Sequence, residues 1–333
     1  LAVIISKCPV RISLSGGGSD YPSFYTNNPD GGAVITSTIN KYCYLFVRYL
    51  PPFFEHKHRI VYSKIELPSD LDSIDHPSVR ECLRYMKVDR GVEIHHAGDL
   101  PARSGVGSSS AFTVGLLHAL HALNGQKISK YDLALEAIHV EQDLIGEHVG
   151  SQDQMACALG SFNYIKFGNR KPIVESLNIT EKRVKDLENC LMLVFTGFPH
   201  MASEIAKTYN FKEREKEIKE IMAYTKDVYK ILTGGEILDY GRILHETWQL
   251  KKSLSKKIST PYIDFIYSKA LEYGASGGRL IGSGNAGFMV LFCEPDKQIA
   301  LRNSEVFKGL LFVPIKFETS ESCGSRILSM NGD

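Results

Sequence analysis

The chain lacks three things that would classify it quickly: paired cysteines, a surplus of one charge, and a long apolar run. Its seven cysteines (8, 43, 82, 157, 190, 293 and 323) are scattered, odd in number, and never fall in a C-x-x-C pair. That argues against a disulfide framework or a zinc site and makes a reducing cytoplasm the expected setting. Thirty-nine basic and thirty-eight acidic side chains leave a net charge of +1. No global field draws the molecule to nucleic acid or to an anionic membrane, so any anion site must be local. No stretch of about 18 apolar residues exists to span a bilayer. The opening LAVIISKCPVRISLS has neither a basic leader nor a long apolar centre, and reads as a buried strand rather than a signal peptide. The G-x-x-x-x-G-K-[ST] phosphate loop, internal repeats and long linkers are also missing.

What is present fits a soluble globular protein: 43% hydrophobic and 23% charged residues. At 333 residues the chain exceeds one ordinary core, so two domains or one large one are expected. VIISKCPVRISLS predicts a strand that runs into the glycine loop SGGGSD. GGAVITSTINKYCYLFVRYL predicts two strands with a turn near Asn40-Lys41, and RIVYSKIELPSD extends the sheet. Helical spacing follows in HPSVRECLRYMKV, then a strand in GVEIHHAGDLP. A helix beginning near Ser108 is ended by Gly125, and another is capped by Ser129. GSFNYIKF predicts a strand. Near residue 186 the pattern changes. CLMLVFTG reads as a short buried strand, and SEIAKTYNFKEREKEIKEIMAYTKDVYKIL as a long helix whose charges form a solvated face. LDYGRILHETWQLKKSL and PYIDFIYSKALEYGA read as helices, and alternating strand and helix close the chain. These predict a small α+β unit with an antiparallel sheet.

Two glycine motifs invite a nucleotide. GSGNAG at 282–287 satisfies G-x-G-x-x-G, but a strand follows it, so a tight turn between helix and strand is expected instead of a dinucleotide site. The stretch DLPARSGVGSSSAF differs, because its small residues continue past what a helix cap requires. Gly105, Gly107, Ser108, Ser109 and Ser110 open bare N–H groups at a helix N-terminus, where the dipole favours an anion. Four charged residues stand out beside it. Glu141 lies on the apolar stripe of its helix, at i+4 from Ala137, and is either one half of a buried pair, a rim residue, or a ligand for a hard cation such as Mg²⁺. Asp153, in VGSQDQMACALG, is either a helix cap or a general base. Arg11, in the middle of the first strand, must meet an anion, structural or catalytic. Asp20 closes the glycine loop, where it caps the next segment or accepts from substrate hydroxyls.

The motifs CPVRISLSGGGSDYPSFY, PARSGVGSSSAF, VGSQDQMACALGSFNYIKF and GSGNAGFMVLF, in this order, resemble those of the GHMP kinases. The resemblance covers nearly the whole chain. Within the family, GGGSDYP and HETWQLKKSLSKKISTPYID are most similar to the D-glycero-D-manno-heptose 7-phosphate kinases. It implies an α+β, two-domain GHMP kinase fold: an N-terminal mixed α/β domain over 1–186 and a ferredoxin-like C-terminal domain over 187–333. It further implies a cytoplasmic enzyme that phosphorylates the anomeric hydroxyl of a sugar with ATP and Mg²⁺, serving nucleotide-activated heptose for surface polysaccharide, with neither nucleic acid nor membrane as partner. A homodimer is compatible with it. By the same resemblance Asp153 and Arg11 are catalytic, and Pro101, Gly105, Val106, Gly107, Ser108, Ser109 and Ser110 bind ATP. Ser109 and Glu141 hold the metal, with Ser108 the competing hydroxyl. Asp20, Gly17, Gly18, Ser19 and Gly284 meet the substrate, and Gly282, Gly284 and Gly287 close a turn against the phosphates. A second phosphate on the sugar needs its own cation, for which Lys41, Lys251, Lys252 and Arg279 are the candidates. Two departures from the family pattern are Asn285 and Ala286 in the turn, and His200 where an arginine is expected. Asn tolerates positive φ, so the turn is expected to survive. The alternatives are an anomeric kinase of an unphosphorylated sugar of the fucose or galactose type, and a non-catalytic sugar or nucleotide sensor.

Overall fold

A computed structural model describes residues 3–197, 213–320 and 323–331. Its strands are β1 (Val3–Ser15), β2 (Gly32–Tyr49), β3 (Arg59–Val61), β4 (Ile65–Glu66), β5 (Val92–Gly98), β6 (Phe162–Phe167), β7 (Ile173–Ser176), β8 (Leu191–Phe195), β9 (Ala275–Leu280), β10 (Phe288–Cys293), β11 (Leu311–Val313) and β12 (Arg326–Asn331). The first sheet runs β12-β1-β2-β5-β3-β4, with β6 and then β7 attached to β2. The second is antiparallel, in the order β11-β8-β10-β9.

The helices of the described residues are α1 (Pro22–Tyr25), α2 (Pro77–Tyr85), α3 (Ser108–Leu123), α4 (Lys130–His139), α5 (Gln152–Leu159), α6 (Glu181–Cys190), α7 (Glu215–Thr233), α8 (Asp239–Ser253), α9 (Pro261–Glu272) and α10 (Pro295–Asn303). Three begin at the hydroxyls the sequence offers: Ser129, Thr180 and Thr260 accept from the backbone N–H three residues on. α4 passes into a π-helical turn over Val140–Leu144.

α3 carries the first core. It is buried on most of its faces, which the absence of Asp, Glu, Lys and Arg from its sequence permits. At Gly115 it presses on β1 and β2, where a Cβ would lie 3.2–3.3 Å from Leu45, Cys8 and Ser6. This contact fixes the helix start over Arg11 of β1. A second core gathers Trp248, Ile263, Ile266, Leu291 and Phe307 between the later helices and the second sheet.

Three expectations are corrected. Residues 32–49 form one strand, not two with a turn at Asn40-Lys41. Asn40 does not turn the chain; its N–H donates to Lys316 O and its Oδ1 accepts from Lys316 N. The irregularity there belongs to the β1 ladder, whose register shifts between Pro9, which has no N–H, and Arg11. The turn at 282–287 joins two strands, because ASGGRL before it is β9 rather than a helix end. Lastly, the chain leaves the first sheet near residue 186, yet residues 326–331 return to it as β12 beside β1. Of the expected long charged helix over 203–232, the stretch Glu215–Thr233 is helical, while residues 203–212, like His200, lie outside the described residues.

Candidate active site

The glycine loop before α3 is a string of left-handed residues. Arg103, Gly105 and Gly107 have φ of 59°, 89° and 74°. Gly107 is the N-cap and offers no side chain to the helix N–H groups behind it. Ser104 Oγ donates to Pro101 O and braces the loop. Gly105 and Gly107 cannot be replaced freely: a Cβ on Gly105 would stand 2.3 Å from Ile281 O, and one on Gly107 3.1 Å from Arg11 Cγ.

Arg11 joins this loop to a carboxylate. Its Nε and Nη2 donate to Asp153 Oδ1 and Oδ2 at 2.7 and 2.6 Å, and its Nη1 donates to Gly105 O at 2.7 Å. Its own N–H goes to Val106 O, in the register gap opened at Pro9. Burial works against the Arg11 charge, but Asp153 outweighs it and holds the guanidinium above its ordinary range. Arg11 is 4% exposed and the Asp153 side chain 24%, so the pair opens to solvent on the carboxylate side. Asp153 sits in the first turn of α5 but does not cap it. Each of its oxygens keeps a lone pair for a further donor.

Asp20 lies deeper, 1% exposed. Gly18 N donates to its Oδ1 at 2.9 Å and Gln152 N to its Oδ2 at 3.4 Å. Gly150 approaches so closely that a Cβ would reach 1.8 Å from Oδ2. Burial, then the charge of Asp153, pushes this carboxyl up to about 6 against the pull of its backbone donors.

Glu141, in the π-helical turn, is buried at 1%. Its Oε2 accepts from Ser110 Oγ at 2.9 Å and from Gln154 Nε2, while Oε1 has no partner. Burial pushes it up to about 7. A buried carboxylate oxygen without a donor, beside a hydroxyl at a phosphate-type loop, fits a divalent cation that takes its remaining ligands from phosphate.

The expected residues divide accordingly. Arg11, Asp153, Gly105, Val106 and Gly107 come together, with Asp20 tied in through the N–H of Gln152, the residue before Asp153. Ser110, rather than Ser109 or Ser108, is set against Glu141; Ser109 is exposed at the loop mouth. Ser19 is fully buried, and its hydroxyl shares its proton between Gly16 O and Ala33 O and accepts from Ala33 N, which pins the loop to β2. Gly17 is the part-exposed residue of that loop. Gly284 packs on Ile258, whose carbonyl accepts from Asn285 N. Gly282 and Gly287 do abut the loop, at Gly105 and Ser104. Asn285 has φ of 73°, as the turn requires, and Ala286 does not need a positive φ. Lys252 pairs with Asp264 at the surface. Gln152 and Gln154 were missed. Their signal was two amides flanking an acid inside the small, apolar run SQDQMACAL.

Comparison with known proteins gives a consistent set. The family model of the GHMP kinases N terminal domain matches residues 77–161. A D-glycero-alpha-D-manno-heptose 7-phosphate kinase of Campylobacter jejuni is 30% identical over 318 residues, covering 90% of this chain and 92% of that protein. A galactokinase of Pyrococcus furiosus is 26% identical over 334 residues, covering 89% and 91%. Among solved structures, a D-glycero-D-manno-heptose 1-phosphate kinase from Bacteriodes thetaiotaomicron superposes with a TM-score of 0.79 at 24% identity, over 99% of this chain and 100% of that one. A Lactococcus lactis galactokinase complexed with galactose gives 0.76 at 18%, over 98% and 95%.

Proposed function

The chain belongs to the GHMP kinases, and from that premise we propose that it transfers the γ-phosphoryl group of ATP to the anomeric hydroxyl of D-glycero-D-manno-heptose 7-phosphate, yielding the 1,7-bisphosphate and ADP. It is a sugar kinase. The observation that carries the catalytic reading is Arg11, one side chain that grips Asp153 and the Gly105 carbonyl of the phosphate loop together. A non-catalytic sensor has no use for a carboxylate so held.

In this reading the N–H groups of residues 105–110 and the dipole of α3 receive the triphosphate. Pro101 and Val106 shape the loop, and Ser108 and Ser109 line its mouth. Glu141 and Ser110, with Ser109 within the same turn, are the residues that would hold Mg²⁺. Held there, such a cation would supply positive charge against the developing negative charge of the phosphates. Asp20, behind Gly17 and Gly18, accepts from sugar hydroxyls and turns the anomeric oxygen toward Asp153. Asp153 accepts that proton as the oxygen attacks phosphorus in line and ADP leaves. Arg11 keeps Asp153 oriented, and stabilises charge on the group in flight. Residues 1–186 are proposed to supply the nucleotide loop and the acid, and residues 187–333 the glycine turn. The proposed setting is the cytoplasm, a reading that ATP use and the buried free cysteines among the described residues support. No helix among the described residues is long and apolar enough to cross a membrane.

The test is ADP release with the manno-heptose 7-phosphate against free heptose, fucose and galactose. Turnover with the 7-phosphate at least tenfold above any free sugar is expected. Preference for fucose or galactose would replace this acceptor by an unphosphorylated one. No ADP with any of them would remove the kinase assignment.

A further inference from the structure

Two cations stand beside the Arg11–Asp153 pair and take no part in the chemistry above. Arg279, on β9, is 4% exposed; its Nη2 donates to Ser13 O and its Nε has no partner. Lys251, near the end of α8, donates to Leu280 O at 3.2 Å and to Gly282 O at the start of the glycine turn. Neither forms an ion pair with a carboxylate among the described residues; both meet only carbonyl oxygens. Arg11, by contrast, already has Asp153.

The fold delivers the two together. α8 lies along β9, with Gly241 so close that a Cβ on it would reach 1.9 Å from Ser276 Oγ, and with Gly277 against Gly241 O and His245 N. Ten residues of helix advance about 15 Å, and four residues of strand about 13 Å. Starting from that contact, Lys251 therefore arrives beside 280–282, level with Arg279. The side they reach is the acceptor side. Ser13 lies near the end of β1, and its Oγ and the Gln152 side chain both border Gly17 of the glycine loop. Ser13 Oγ and Gln152 Oε1 are buried without partners. Burial, then Arg279 and Arg11, lowers the Lys251 ammonium to about 7, while Asp20 and Asp153 act the other way. A buried guanidinium and a half-buried ammonium without a counter-charge are costly, and a dianion removes the cost.

We propose that Lys251 and Arg279 form the subsite for the acceptor's distal phosphate, with Ser13 and Gln152 contacting the sugar between that phosphate and Asp153. The inference rests on the acceptor being a sugar phosphate. The nucleotide's phosphates have their own loop at 105–110, and Arg279 touches β1, not that loop. Selection for a phosphorylated heptose then lies on the second sheet and its helix, while the transfer chemistry lies on the first.

The experiment compares kcat/KM for heptose 7-phosphate and for free heptose, in the wild type and in Lys251→Met. The wild-type preference for the 7-phosphate should fall about 10- to 100-fold, the range for one lost charge-assisted bond. Lys251→Arg should restore most of it. A mutant that loses both substrates equally, or keeps the full preference, overturns the subsite. A wild type that prefers the free sugar overturns the acceptor assignment, and the subsite with it. Should Lys251→Met not fold, inorganic phosphate tested on the wild type decides. It should inhibit competitively against heptose 7-phosphate and not against ATP; competition with ATP alone overturns the subsite.

Discussion

Asp153 can accept a proton because Arg11 occupies only one lone pair on each of its oxygens. Asp153→Asn keeps the shape and loses the acceptor charge. Turnover should fall about 10²- to 10⁴-fold, as for loss of a general base, with little change in ATP affinity measured by titration. The same variant leaves the buried Arg11 without its counter-ion, so its melting temperature should also drop. Normal turnover in a folded Asp153→Asn protein would remove the base role. Asp20 makes a separate prediction about pH. Its carboxyl is held at about 6 in the folded chain, against an ordinary 3.8. The folded state therefore binds this proton more tightly than the unfolded one. The stability that goes with it is complete below pH 3.8 and is lost as pH rises through about 6, on the order of 3 kcal/mol. Asp20→Asn should flatten the urea-measured stability profile across that window. Sugar KM in the wild type should fall as pH rises through 6 and the accepting carboxylate forms; a pH-independent KM would contradict a hydroxyl-accepting Asp20.

At the scale of elements, the start of α3 is where sequence and site meet most directly. Gly107, at φ 74°, is both the N-cap and the floor under Arg11 and Asp153, each 3.1–3.4 Å from where a Cβ would stand. Gly107→Ala should cost about 1–2 kcal/mol in the left-handed region. It should also lower kcat/KM at least tenfold by displacing the pair, a loss read in steady-state kinetics beside a thermal melt. An unchanged kcat/KM would mean the Arg11–Asp153 geometry tolerates displacement. This helix was legible in advance because its glycines, serines and apolar run all point the same way. So were β1, the cap at Ser129 and the positive φ at Asn285. Other elements were hidden for reasons of physics. Asn40 looks like a turn residue, and only the distant Lys316 backbone turns it into a bridge between segments. ASGGRL has two glycines and little strand propensity, yet β9 forms because α8 needs bare backbone to pack so closely. Helical spacing from Ala137 did set Glu141 on the buried face, but the π-helical form of the turn that carries it leaves no mark in the sequence. Ser110 was placed on the nucleotide but not against Glu141, because three adjacent serines look alike until the helix phase is known.

Over the whole molecule, the two sheets are joined too closely to act as separable units. Phe288 N donates to Ser104 O, and Gly282 lies against Gly105, so the turn of one sheet touches the phosphate loop of the other backbone to backbone. Val228, Ile231, Tyr240 and Leu244 of α7 and α8 belong to the same core as Ile12, Leu14 and Val34 of the first sheet. β12 then closes the edge of β1, pairing Val3 with Asn331 and Lys7 with Arg326. A chain stopped after Ser325 uncovers that edge, beside the buried Ile4 and Cys8. Five register pairs are lost, which at about 1 kcal/mol per backbone bond is on the order of 5 kcal/mol. Because Arg11 rides on the same strand, the damage should reach the catalytic pair. The shortened chain should unfold at a clearly lower urea midpoint, self-associate in light scattering, and lose turnover out of proportion to its folded fraction. The full chain should unfold in one transition followed alike by circular dichroism and by Trp248 fluorescence, which reports on the second core. Two separated transitions, or a shortened chain with wild-type midpoint and turnover, would mean that the sheets fold independently and that β12 is an ornament on the edge.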